Sequence, residues 1–193
     1  MRVRALLTTV TGEYDRISMH GVRRTLLERQ AAAVGLPVTE VVIPPACAND
    51  LYEERFAGAL TAPPLAGVDH VAFGDLFLAD VRAYRERLVA ACGRQALFPL
   101  WGRPTAQLAS EFLADGFEAV LVCVDPRRLD ASFAGRAFDD DLLHELPAGV
   151  DPCGENGEFH TFVSAGPVFT EAVAYRRGDV VARDGFVFCD LVT

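Results

Sequence analysis

The first half of the chain alternates apolar runs with amphipathic stretches, and few folds accept that alternation. Val3–Val10 is an apolar run rich in β-formers that ends in the polar segment Thr11–Gly21. Val22, Leu26, Leu27 and Val34 then recur at helical spacing, and Gly35 is placed to cap the helix end. Val38–Ile43 reads as the next strand, halted by Pro44-Pro45. Asn49 or Asp50 can cap a helix reaching about Leu60, with Glu53 three residues beyond Asp50. Val68–Phe73 is a third strand, followed by Gly74-Asp75 and a helix from about Asp80 to Cys92. Strand, helix and short connection in turn predict an α/β fold with a Rossmann-like, doubly wound parallel sheet.

The pattern changes after Arg94, which suggests a domain boundary without a flexible linker: a nucleotide-binding α/β domain over 1–93 and a smaller α+β substrate domain over 94–193. A helix is expected from Pro104 to Asp115, with proline in its first turn, and Ala119–Val124 is a strongly apolar strand. Asp139–Leu146 reads as a short helix. Phe159–Val163, Val168–Ala174 and Val180–Asp190 read as antiparallel strands, joined by turns at Gly166-Pro167 and Arg177-Gly178-Asp179. The sequence contains no internal repeat and no low-complexity segment.

Charge and composition narrow the function. The net charge of −9 disfavours unassisted binding to nucleic acid or anionic lipid. With 51% hydrophobic residues and a mean hydropathy of +0.20 the chain is a folded globular one. Its apolar runs are too short to span a bilayer, and Met1-Arg-Val-Arg4 leads into a strand rather than a leader peptide, so a cytoplasmic location is expected. Five scattered cysteines (Cys47, Cys92, Cys123, Cys153, Cys189), with no C-x-x-C pair, read as reduced thiols. All 18 basic residues are arginine, so no lysine of this chain can grip a phosphate or form a Schiff base.

The densest chemistry lies in Asp151-Pro-Cys-Gly-Glu-Asn-Gly-Glu-Phe-His-Thr-Phe162. Gly154 and Gly157 let the backbone take positive φ and approach a ligand closely. Glu155, Glu158 and His160 beside such a turn can hold a cation, position an amine or move protons. The plain alternative is a connecting turn with solvated charges. No zinc site is expected, because Cys153 and His160 lack a second nearby Cys/His pair. In a parallel sheet, ligands sit outside the carboxyl ends of the strands. Those ends supply the polar set Thr8, Thr9, Glu13, Asp15, Arg16, Ser18, His20, Asn49 and Asp75, although Asp and Asn there often only cap the following helix.

These residues, with several spaced motifs, resemble the diphthine–ammonia ligase family. The likeness runs through Gly154-Glu-Asn-Gly-Glu-Phe-His-Thr-Phe-Val163 and Gly166-Pro-Val-Phe169. Val71-Ala-Phe-Gly-Asp75, Tyr84-Arg-Glu-Arg87, Pro99-Leu-Trp101, Gly116-Phe117 and Phe133-Ala-Gly-Arg136 carry it in the same order. So does Thr8-Thr-Val-Thr-Gly-Glu-Tyr-Asp-Arg16 leading to Met19-His-Gly21. The resemblance implies an N-type ATP pyrophosphatase of the adenine nucleotide alpha hydrolase-like class. Its implied reaction adenylates a carboxylate with ATP, Mg2+ accompanying the nucleotide, after which ammonia displaces AMP. Catalytic roles would fall to Glu155, Glu158 and His160, and nucleotide contacts to Thr8, Thr9, His20, Gly74 and Asp75. Acceptor contacts would come from Gly154, Asn156, Gly157, Thr161 and, as weaker choices, Trp101 and Arg136. The implied partners are ammonia and a small-molecule or protein carboxylate, and a homodimer is left open.

The resemblance departs in one place. The family opens with a strand and a Ser-Gly-Gly-Lys-Asp-Ser phosphate loop, whereas Val3–Val10 resembles the family's second strand. A truncated reading frame is the favoured expectation. A remnant that serves as a non-catalytic nucleotide- or metabolite-binding module is the alternative.

Overall fold

A computed structural model describes residues 2–193; Met1, at the head of the expected leaderless start, lies outside them. Contacts divide the chain into two compact units. The first runs to Asp15 and resumes over Leu36–Arg103; the second joins Arg16–Gly35 to Pro104–Thr193. The division therefore lies near residue 103 rather than 94, and it assigns the first helix to the C-terminal unit.

In the first unit β1 (Leu6–Thr11) pairs in parallel with β3 (Val38–Ile43), and β4 (His70–Ala72) pairs in parallel with β5 (Gln95–Leu97). These pairs belong to separate sheets, so the structure has parallel α/β pairing without the single doubly wound sheet expected from the alternation. Helices α2 (Asn49–Thr61) and α3 (Ala79–Ala91) supply Phe56, Leu60, Leu88 and Val89 to one core. Val41 of β3 joins that core, and Leu7, Val71 and Ala96 from the other three strands pack against it. The apolar faces of both strand pairs are thus covered by the same two helices. The N-cap of α2 is Ala48, with no side-chain cap bond, rather than Asn49 or Asp50.

The second unit is built around β6 (Glu118–Val124), whose last six residues are buried. A strand buried on both faces reads as an unbroken apolar run, and Ala119–Val124 is one. β6 pairs antiparallel with β7 (Ala137–Phe138), β8 (Phe159–Ala165) and β10 (Phe186–Val192), and β10 carries β9 (Arg176–Arg183) at the sheet's end. One face packs Val120, Val122, Phe162 and Leu191 against Val22, Leu26 and Ala33. The last two lie on α1 (Arg24–Val34), which ends at Gly35 in the left-handed conformation as expected. The other face packs Leu121, Val124 and Phe159 against Ala109 of α4 (Thr105–Ala114) and Leu142 of α5 (Asp140–Glu145). Asp139 caps α5 by accepting from the Leu142 N–H. The short β2 (Arg16–Ile17) bridges back to Arg23.

Two strand expectations fail for identifiable reasons. Val168–Ala174 forms no strand; Val173 and Thr170 instead donate backbone N–H groups to Ser164 and Ala33. The expected strand Val180–Asp190 is a hairpin, and its turn is Asp184-Gly185, not Arg177-Gly178-Asp179. Asp184 (φ 52) and Gly185 (φ 81) supply the two positive φ values of a two-residue hairpin turn. Gly178 and Asp179 lie within β9, where the pairing register slips opposite Asp190. Among the described residues, no helix is long and apolar enough to cross a membrane.

Candidate functional site

The Asp151–His160 segment is a pair of consecutive turns braced from within. The Gly154 N–H donates to the Asp151 carbonyl and the Gly157 N–H to the Gly154 carbonyl, each at 2.9 Å. Asp151 Oδ1 accepts from the backbone N–H of Cys153 (2.9 Å) and of Glu155 (3.2 Å), an Asp side chain fixing its own turn. Gly154 sits at φ 69, and a Cβ there would lie 2.7 Å from the Phe159 carbonyl oxygen, so glycine is required twice over.

Glu158 closes the loop from below. It is 2% exposed; Oε1 accepts from the Asp151 N–H (3.1 Å) and Asn156 Nδ2 (2.9 Å), and Oε2 accepts from the Asn156 N–H (3.0 Å). Burial opposes its ionisation, but these bonds outweigh burial and hold the carboxyl below the ordinary glutamate value. The Glu158 carbonyl in turn accepts from the Asp125 N–H at 2.9 Å, anchoring the loop to the end of β6. Glu158, expected among the catalytic residues, and Asn156, expected among the acceptor contacts, bond to each other. Cys153 donates to the Thr105 carbonyl (3.3 Å), and burial, then the charges of Asp151 and Glu155, push its thiol up to about 11. It remains a neutral thiol at neutral pH.

His160 is the second residue of β8, opposite Cys123 of β6. Its ring lies against His20, with centroids 4.6 Å apart and planes tilted by 39°. Burial, followed by the neighbouring His20, lowers the His160 pKa to about 4. Burial also lowers that of His20, against the raising effect of its bond from Nδ1 to the Ser18 carbonyl (3.2 Å). Both imidazoles are therefore neutral at pH 7, and a neutral imidazole is a proton acceptor. His20, expected among the nucleotide contacts, instead stands with His160.

The second unit holds His20, His160 and the loop residues Gly154, Glu155, Asn156, Gly157 and Glu158; the ring contact joins His20 to His160, and Thr161 is next along β8. Arg136 belongs to the same unit but is engaged by Glu145 (2.6 Å) and stacks over Phe133. Thr8, Thr9, Gly74, Asp75 and Trp101 lie in the first unit. There β1 runs on to Thr11, so Thr8 and Thr9 are mid-strand, opposite Glu40 and Val41, rather than at the carboxyl end. Asp75 does follow a strand end, and Arg85 Nε meets its carboxylate at 2.8 Å. Trp101 and Phe98 flank the Arg82 guanidinium at 4.7 and 4.9 Å, a cation–π arrangement tying the loop to α3. Among the described residues no three His, Cys, Asp or Glu side chains converge as metal ligands.

One cluster had no sequence signal. Asp190 of β10 accepts from Arg16 at 2.7 Å and from Arg23 at 2.5 Å. Burial opposes its ionisation, yet the two arginines hold it at about 2. These bonds fix the chain on both sides of His20 across more than 160 residues of sequence, beyond the reach of local pattern.

Residues 104–184 match the family model described as the diphthamide synthase C-terminal domain. Curated relatives agree with it. The zebrafish (Danio rerio) diphthine–ammonia ligase is 34% identical over 129 residues, covering 63% of this chain and 49% of that protein. The Bos taurus and Homo sapiens diphthine–ammonia ligases are 25% and 26% identical, each alignment covering 74% of this chain and 55% of the relative. Through these matches the chain is similar to the diphthine–ammonia ligases, most specifically over residues 104–184. It spans about half the length of these curated relatives. The family match contains β6, β8, the braced loop and His160. His20, from outside the matched residues, lies against His160, a pairing that sequence spacing alone did not reveal.

Proposed function

We propose that this chain contributes to an ATP-dependent amide-forming ligase, and that its second unit carries the acceptor site. The observation that carries the reading is His160: a half-buried neutral imidazole paired with His20, beside a rigid glycine loop, within the family match. In amide formation ammonia attacks an activated carbonyl carbon, the C–N bond forms as the leaving group departs, and the new nitrogen sheds a proton. A neutral His160 ring nitrogen accepts that proton. Gly157, with open space around it, lets the acceptor approach the loop backbone, Gly154 holds the turn, and Glu155 supplies a carboxylate for an acceptor cation. Glu158 acts as a positioning residue, holding the loop on which these groups stand.

The first unit is the nucleotide side in this reading. Its two parallel pairs share one helical layer, which supports a doubly wound order with a further parallel strand between β1 and β4. The described residues do not fit a triphosphate or its Mg2+: the sequence has no lysine, and Asp75 is engaged by Arg85. No phosphate-binding step is assigned to them.

The test is ammonia-dependent release of AMP by the protein expressed from its entire reading frame, with ATP and a diphthine-bearing translation factor as acceptor. Parent activity that collapses in His160→Gln supports the ligase reading. AMP binding with no ammonia-dependent release would favour a non-catalytic nucleotide-binding module. The internal engagement of Asp75 and Glu158 is the observation on that side.

A further inference from the structure

The two outer edges of the second unit's sheet differ. On β8, the Gln30 side chain donates to the Val163 carbonyl (2.7 Å) and the Val173 N–H to the Ser164 carbonyl (2.8 Å). Among the described residues β9 pairs with β10 alone, and Arg176–Ala182 are all exposed, with Val180 and Val181 at 56% and 47%. The Asp184-Gly185 turn sets Arg183 opposite Phe186, so Arg183 and Val181 direct their backbone groups to β10. The N–H and C=O groups of Val180 and Ala182 then point outward from the sheet.

We propose that β9 is a homodimer interface, pairing antiparallel with β9 of a second copy about a two-fold axis at Val181. This register sets Val180 against the partner's Ala182 and Ala182 against the partner's Val180, so the outward backbone groups meet in hydrogen-bonded pairs. Val181 meets the partner's Val181. Asp179 faces the partner's Arg183, and Arg183 faces the partner's Asp179, which gives two opposite-charge cross-strand pairs. Moving the axis to Val180 would set Arg177 against the partner's Arg183, a like-charge pair that disfavours that register. Charges and a register slip on an edge strand commonly discourage association. Here the charges on one face form a sequence, Asp179-Val181-Arg183, that is its own antiparallel complement. An isologous two-fold contact requires that property.

Sedimentation velocity of the 193-residue chain over a rising concentration series tests the interface. The expected result is a concentration-dependent monomer–dimer equilibrium. Val181→Asp should shift it to monomer, and Ala182→Pro should do the same, because that N–H makes no bond to β10. Asp179→Arg should weaken the dimer, and the double variant Asp179→Arg with Arg183→Asp should restore it. Circular dichroism on each variant confirms that the hairpin has kept its fold. Monomer at every concentration overturns the proposal. So does a dimer that survives both Val181→Asp and Ala182→Pro, or one that the charge exchange fails to restore.

Discussion

Glu158→Gln should behave as a stability mutation before it behaves as a catalytic one. The carboxylate accepts three hydrogen bonds, from the Asp151 N–H, the Asn156 N–H and Asn156 Nδ2, while 2% exposed. A glutamine offers one acceptor oxygen. If that oxygen keeps the two donors at Oε1, its NH2 faces the Asn156 N–H, donor against donor. The lost charge-assisted bond costs about 1.5–3 kcal/mol, and the other two weaken by roughly 0.5 kcal/mol each on losing the charge. The total is about 2.5–4 kcal/mol, which for a chain of this size lowers Tm by about 5–16 °C. Glu155→Gln, on a half-buried rather than a fully buried side chain, should cost clearly less than Glu158→Gln. Differential scanning calorimetry on both variants at pH 7 reads the contrast. A Glu158→Gln melting temperature equal to that of the parent would refute the bracing role and return Glu158 to the catalytic role expected from the sequence.

Other consequences follow from the same geometry. Gly154→Ala should destabilise by about 2 kcal/mol or more, from the positive φ plus the clash with the Phe159 carbonyl. Gly157→Ala, also at positive φ but with open space around its Cβ, should cost only about 1 kcal/mol; urea midpoints of the two compare directly. His160 titrates at about 4 when folded and near 6.5 when unfolded, so acid protonates the unfolded state first. Its contribution is complete above pH 6.5 and is lost as pH falls toward 4, about 3 kcal/mol in all, and His160→Phe should flatten that part of a urea-midpoint profile. The 193-residue chain alone should give no ATP–pyrophosphate exchange, since it holds no lysine; exchange in material of verified mass would contradict this.

Local signals in the sequence carried the elements whose causes are local. Gly35 ends α1 in the left-handed conformation, Pro44-Pro45 follows β3, and Ala119–Val124 is apolar because it is buried. The failures came where long-range packing decides. Arg177-Gly178-Asp179 has the composition of a turn, but its register slip is set by β10, while Asp184-Gly185 provides the backbone geometry a hairpin needs. α1 follows β1 in sequence yet buries Leu26 and Ala33 with Phe162 and Leu191, which its own periodicity could not foretell. At the site, residue types located the loop, and the glycines located its tight turns. Whether a glutamate faces a ligand or its own backbone depends on a side-chain direction that spacing does not encode, and Glu158 turned inward. The His20–His160 contact joins residues 140 apart and was equally out of reach.

The four histidines allow the central claim to be measured on the chain as it stands. His20 and His160 form the candidate acceptor site, whereas His70 lies on β4 and His144 on α5. Imidazole proton–nitrogen correlation spectra recorded while diphthine is titrated into the protein should shift the His20 and His160 signals together and leave those of His70 and His144 in place. Glu155→Gln should weaken that response. Saturating diphthine that leaves His20 and His160 unmoved, or that moves all four histidines alike, would contradict an acceptor site at the braced loop.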